Sequence, residues 1–311
     1  MAWTRIYSQE NISTVYQNVQ WGSYSGVNAS KVGTTWLACA GGAYPFPEFI
    51  PDASLAPMTF YNGDGSGVNA IGKRGGLSYL VSGAQGGSTI GLSLAPRALE
   101  TQPGPYAILI NHWLLVPRTC FAPSTLGAKL SINLVVPFIY VPPADDGSIP
   151  QQGIVFAYFV LWLQHVGDSA QQLYITPRVV QSTYPTHGEP PPYSWDFNPG
   201  DQFSFDPSNN NAGIIAPELG NSGLVTSLGN GCFIIGSSPV MKTYAFSVSP
   251  AQLAAGIVGL NSSGRSPRSY DTDASKWKII GVSLNVEAWP GSTHNDVRIA
   301  LSAKNFGLWV G

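Results

Sequence analysis

The chain has 311 residues, of which 44% are hydrophobic and only 10% charged, and its formal net charge is −2. Ordinary soluble domains carry about a quarter of their residues as Asp, Glu, Lys or Arg, so this composition excludes a surface finished mainly by solvated ions. The near-neutral balance also excludes long-range attraction to nucleic acid or anionic lipid.

Residues 1–30 hold one basic side chain, Arg5, so no Lys/Arg-rich arm of the kind that neutralises packaged phosphates is expected. No apolar run follows Met1, and no secretory signal is expected. The sequons at Asn11, Asn28 and Asn261 then read as chance occurrences in a chain rich in Ser and Asn.

Scattered through the chain are 35 Gly and 25 Pro, which cut it into pieces suited to strands and turns. Strands are predicted at 13–21, 77–81, 89–94 and 107–116. Residues 129–141 alternate at first, then turn apolar on both faces, and stop at Pro142-Pro143. Residues 154–163 are ten unbroken apolar residues. A membrane-spanning helix needs about twenty, so this segment is predicted to be a central core strand and no membrane span is expected. A turn at 167–169 and strand segments at 172–176 and 179–180 make 153–181 an antiparallel pair.

Residues 184–211 contain Pro-Pro-Pro and Asn-Asn-Asn and read as a long ordered connection. A short strand is predicted at 232–235. The one predicted helix spans 249–258, capped by Ser249 with Pro250 at its first position, and is expected to be peripheral. The C-terminus offers a second antiparallel pair: 277–289, a turn at 290–292, then 296–303 and 306–310. The fold class expected is an all-β jelly-roll sandwich of two antiparallel sheets with long loop insertions. It is read as one domain over 1–311, with room in 182–270 for an extra β subdomain or projection.

Side chains that carry chemistry are sparse. Cys39, Cys120 and Cys232 are odd in number with no CxxC spacing, which argues against a disulfide scaffold or a zinc site and for small buried hydrophobes. His112, His165, His187 and His294 share no metal-ligand spacing and read as satisfied structural histidines. Glu287, Glu48 and Asp196 are the acids with aromatic neighbours that a glycan-cleaving pair would need, and each reads instead as a solvated or ion-paired carboxylate. Residues 62–67 lack the order of a calcium or phosphate loop and read as a glycine turn. Asp271 with Asp273, and Asp145 with Asp146, are the weak metal candidates, for a structural divalent cation between subunits; no other cofactor is expected. Lys73-Arg74 and Arg265 to Arg268 read as exposed loops.

If solvated ions do not finish the exterior, other copies of the chain are the first candidates. Subunit interfaces are poor in charge and rich in aromatics, and the chain has 9 Trp, 14 Tyr and 13 Phe. Trp113, Trp162 and Trp277 fall in predicted strands, where core or interface packing is the common role.

Two stretches resemble one family. Leu126-Gly-Ala-Lys-Leu-Ser-Ile-Asn-Leu-Val-Val-Pro-Phe-Ile-Tyr140 followed by the 153–163 strand resembles the segment of picornavirus-like capsid proteins in which a strand ends in a Val-Pro-Tyr/Phe-Ile element. The run 297–308 is similar to that family's closing strand, with Lys304-Asn305 in place of its Gly-Asp/Asp-Asp. The resemblance implies a wedge-shaped eight-stranded sandwich that tiles an icosahedral shell in many copies and has no catalytic site. It implies further a place in the virion, sister capsid proteins as partners, and an enclosed genome met without a basic arm. The competing expectation is a carbohydrate-binding or carbohydrate-cleaving β-sandwich, such as a phage receptor-binding domain, a polysaccharide lyase or a glycosidase.

Overall fold

The computed structural model describes residues 1–8, 15–25, 28–37, 59–61, 69–74, 77–82, 89–94, 106–140, 154–183, 203–206, 211–216, 226–229, 238–289 and 298–311. In chain order the strands are β1 (Thr4–Ser8), β2 (Val15–Ser25), β3 (Asn28–Leu37), β4 (Thr59–Tyr61), β5 (Asn69–Arg74), β6 (Leu77–Ser82), β7 (Thr89–Leu94), β8 (Tyr106–Thr119) and β9 (Ala128–Tyr140). They continue with β10 (Ile154–His165), β11 (Gln172–Thr183), β12 (Phe203–Asp206), β13 (Asn211–Ala216), β14 (Thr226–Gly229) and β15 (Ser238–Val248). The helix α1 (Pro250–Ser262) follows, then β16 (Trp277–Trp289) and β17 (Arg298–Val310).

The chain forms the expected all-β sandwich. One sheet has the order β14-β15-β9-β17-β7-β6-β5-β4, with β1 added beside the C-terminal half of β17. The other has the order β12-β13-β11-β10-β16-β8-β2-β3. Every pairing is antiparallel except β11 with β13. Following β7, β8, β9, β10, β11, β15, β16 and β17, the chain lands in the first sheet, the second, the first, twice in the second, then the first, the second and the first.

Period-2 alternation makes the core. In β9, Ala128, Leu130, Ile132 and Leu134 are fully buried while Lys129, Ser131 and Asn133 face outward. In β16, Trp277 and Ile279 point inward, a register shift at Gly281 resets the phase, and Val282, Leu284 and Val286 continue on the same face. The two sheets meet through Phe159 of β10, whose ring lies 5.6 Å from Phe246 of β15 and 5.7 Å from Phe306 of β17.

Several expectations need correction. The two predicted segments at 296–303 and 306–310 meet in one strand, β17 (Arg298–Val310), bent by a bulge at which Asn305 takes φ 56°; Asn tolerates this left-handed conformation better than most residues. The long connection 184–211 contains β12, which pairs with β13 and so extends the second sheet. Lys73 and Arg74 end a strand, β5, rather than lying in a loop.

The helix is not peripheral. It runs on to Ser262, and Leu253, Ile257 and Leu260, spaced along one face, are buried in the main hydrophobic cluster. Its start is as expected: the Ser249 hydroxyl accepts from Gln252 N at 3.2 Å and the Gln252 side chain accepts from Ser249 N at 3.0 Å. The strand predicted at 232–235 lies outside the described residues, while β1, β3, β4, β5, β12, β13, β14 and β15 match no predicted strand.

Candidate functional site

The outer face of the second sheet carries the most distinctive constellation. Register places Trp113 of β8, Gly281 of β16, Trp162 of β10 and Tyr174 of β11 in one row across four neighbouring strands. The ring centroids of Trp113 and Trp162 are 5.5 Å apart, and so are those of Trp162 and Tyr174. Gly281 makes room for this: a Cβ there would stand 2.7 Å from the Trp113 ring and 2.9 Å from the His112 carbonyl oxygen. All three aromatic side chains are half-buried.

The adjacent row is polar and fully buried. Trp162 Nε1 donates to Ser283 Oγ at 2.6 Å, and Ser283 Oγ in turn donates to Asn111 Oδ1. The indole is therefore fixed by a hydrogen bond as well as by its neighbours, and the stripe is a rigid surface. Rigid aromatic side chains lose little entropy on contact, which suits them to interfaces and to stacking on sugar rings. Sequence reasoning found Trp113 and Trp162 but missed Tyr174, Asn111 and Ser283. The available signal for the last two was a polar residue, Asn111 or Ser283, within an otherwise apolar strand.

Of the weak metal candidates, Asp271 and Asp273 are described, and both carboxylates accept local hydrogen bonds. Asp271 Oδ1 accepts from Asp273 N at 2.9 Å, and its Oδ2 lies 3.3 Å from His165 Nε2. Asp273 Oδ1 accepts from Ser275 N at 3.0 Å and from Ser275 Oγ at 2.6 Å, capping a short 3-10 turn; these bonds hold its carboxyl below the usual range. Each carboxylate is thus spent on local backbone. Among the described residues no group of three metal-ligating side chains comes together. Asp145 and Asp146 lie outside the described residues, as do Glu48, Asp196, His187, His294, Cys39, Cys232, residues 62–67 and the side chain of Glu287.

Two histidines are described, and they differ. His165 is a satisfied structural residue: its Nδ1 accepts from Gly167 N at 3.2 Å, and its Nε2 faces Asp271. His112 is structural but not satisfied. It is fully buried between the sheets, and neither ring nitrogen has a hydrogen-bond partner among the described residues. Burial pushes its pKa down to about 3. Cys120 is buried and burial pushes its thiol up to about 12, so it is no nucleophile.

Arg265 is exposed as expected, whereas Arg268 is half-buried and donates to the Ala170 carbonyl at 3.0 Å. The Asn261 side chain exchanges two 2.8 Å hydrogen bonds with the Tyr270 backbone. No helix among the described residues is long and apolar enough to cross a membrane. No protein-family model matches the chain, and comparison with curated proteins finds no match.

Proposed function

We propose that the chain is a structural subunit of an icosahedral or similarly closed viral shell, acting by association with copies of itself rather than by chemistry. The observation that carries this reading is the strand order. The inner strands β15-β9-β17-β7 face β11-β10-β16-β8, and the chain's alternation between the two sheets supports a jelly roll built from two Greek keys. A fold of this kind hosts many functions, so the composition supplies the second support. A chain with 10% charged residues and an aromatic row on an outer sheet face has surface suited to contact with its own kind.

In that role the long outer strands meet neighbouring copies, which cover sheet edges that would otherwise invite uncontrolled pairing. The protein would reside in the virion, with sister capsid proteins and the genome as its other partners. Electron microscopy of the purified protein tests this: closed particles of uniform diameter are expected, and a dispersed monomer overturns it.

The aromatic row also favours a second reading, a carbohydrate-binding sandwich, because flat rings spaced along a sheet can stack on successive sugars. What the row supplies is a stacking surface, so the observation favours binding. A monomer that retains glycans on an array, and loses them on Tyr174→Ala, would support it.

A further inference from the structure

We infer that β1 is a latch released by acid: protonation of His112 expels Tyr7 and frees the N-terminal strand from β17 while the rest of the sandwich stays folded. The property belongs to the single chain and holds whether or not copies associate.

The latch is narrow. Among the described strands β1 pairs with β17 alone, over four residue pairs, and a register shift between Arg5 and Tyr7 interrupts even that ladder. Thr4 and Arg5 are exposed, Ile6 and Ser8 are half-buried, and only Tyr7 is fully covered. Outside the sheet, the Arg5 guanidinium stands 5.3 Å from the Trp309 ring and Lys129 Nζ 5.3 Å from that of Trp3, contacts whose charges do not change in mild acid. The acid-sensitive hold is the Tyr7 ring on His112 and Phe306. Along β17, residues 299–304 pair with β7 and residues 307–310 with β1, on either side of the bulge at Asn305. Losing β1 therefore leaves the β7 and β9 ladders in place and opens the main chain of 307–310, an edge of the kind that recruits strands.

His112 makes the latch respond to acid. It is wholly buried opposite Val282 of β16, and neither ring nitrogen has a hydrogen-bond partner among the described residues. Tyr7 is the titratable side chain that faces it. Arg5 lies on Trp309, Lys304 is exposed, and Lys278 and Glu287 sit opposite Thr119 and Ala107 toward the two ends of β16. β2 places Gln17 opposite His112 and Tyr16 opposite Trp113, and β7 has no titratable residue. A proton taken from solvent thus creates a buried cation with no described carboxylate to receive it. β16 and β2 flank β8 within their sheet, whereas β1 is a short added strand, so β1 yields first. Burial holds the His112 pKa down to about 3, against about 6.5 once the ring reaches water. With the folded value depressed, docking is complete above pH 6.5 and weakens as pH falls below it.

The test is hydrogen exchange of the full-length, unassembled chain at pH 7.5 and 5, read on peptides covering 1–8, 128–134 and 157–163 and corrected for the intrinsic pH dependence of exchange. Protection of 1–8 should fall about thirtyfold between the two values and stay about tenfold or more below that of the two core peptides at both. His112→Leu should remove the thirtyfold fall. Tyr7→Ala, which leaves His112 in place, should leave 1–8 weakly protected at pH 7.5 with no such fall to follow. His165→Gln, at the other described histidine, should keep the wild-type response. Protection of 1–8 that is independent of pH in the wild type overturns the inference, as does a thirtyfold fall retained in His112→Leu or Tyr7→Ala or lost in His165→Gln. Equal protection of 1–8 and the core peptides overturns it too, because β1 would then leave only when the whole fold does.

Discussion

The rings of Tyr7 and His112 lie 5.0 Å apart, centroid to centroid, and both pack edge-on against Phe306. Tyr7 belongs to the N-terminal strand of one sheet and His112 to an interior strand of the other, so this contact pins β1 across the sandwich. The packing works only while the imidazole is neutral, because a buried cation with no described partner is costly.

A pH dependence follows, and its sign is fixed by the depressed pKa. In the unfolded chain His112 takes up a proton near pH 6.5, whereas the folded chain refuses it until about pH 3. Stability from this group is complete above pH 6.5 and is lost as pH falls below it, at about 1.4 kcal/mol per pH unit in that window. Urea unfolding at pH 7.5, 6 and 5 should show wild type losing about 2 kcal/mol more than His112→Leu between the upper and lower values. Parallel pH profiles for the two proteins would contradict it.

Trp162→Phe keeps the ring and removes the donor to Ser283. The Ser283 hydroxyl and Asn111 stay buried with one bond fewer, so destabilisation of about 1–2 kcal/mol is expected. In a double-mutant cycle with Ser283→Ala the two changes should be non-additive by about 0.5–1.5 kcal/mol. Strict additivity would mean that the hydrogen bond does not hold the indole in place.

At Gly281 even one methyl group is too much. Gly281→Ala must push Trp113 aside or displace the β8 backbone, with an expected cost of about 1–3 kcal/mol. A shift in tryptophan emission should accompany the loss, because the Trp113 ring moves relative to Trp162. A variant as stable as wild type with unchanged emission would show that the aromatic row is looser than its spacing implies.

The helix start is a smaller and cleaner case. Ser249→Ala removes the hydroxyl that accepts from Gln252 N and should cost about 1 kcal/mol, measurable as a lower urea midpoint at unchanged slope.

Much of the fold was legible because strong periodicity and strong punctuation coincide. The run 154–163 could only be an interior strand, and β7 was predicted with its observed ends. The helix cap was readable from Ser249-Pro250, but its burial was not: that depends on Leu253, Ile257 and Leu260 meeting the sheets, a tertiary fact. β17 looked like two strands because its bulge interrupts the alternation at Asn305, and bulges leave no sequence mark stronger than a tolerant residue. The polar strand β3, Asn28–Leu37, was invisible because Asn-Ala-Ser-Lys reads as a turn until a partner strand claims its hydrogen bonds. The aromatic row was illegible as a row for the same reason, since register joins residues that are far apart in the chain.

The claim that neighbouring copies finish this sandwich is tested most directly by sedimentation velocity of the purified chain over a broad concentration range. A cooperative transfer of mass from the 33.0 kDa species to one large, uniform boundary as concentration rises is the predicted result. A single boundary at the monomer's mass throughout, in protein that stays clear and folded, would contradict it.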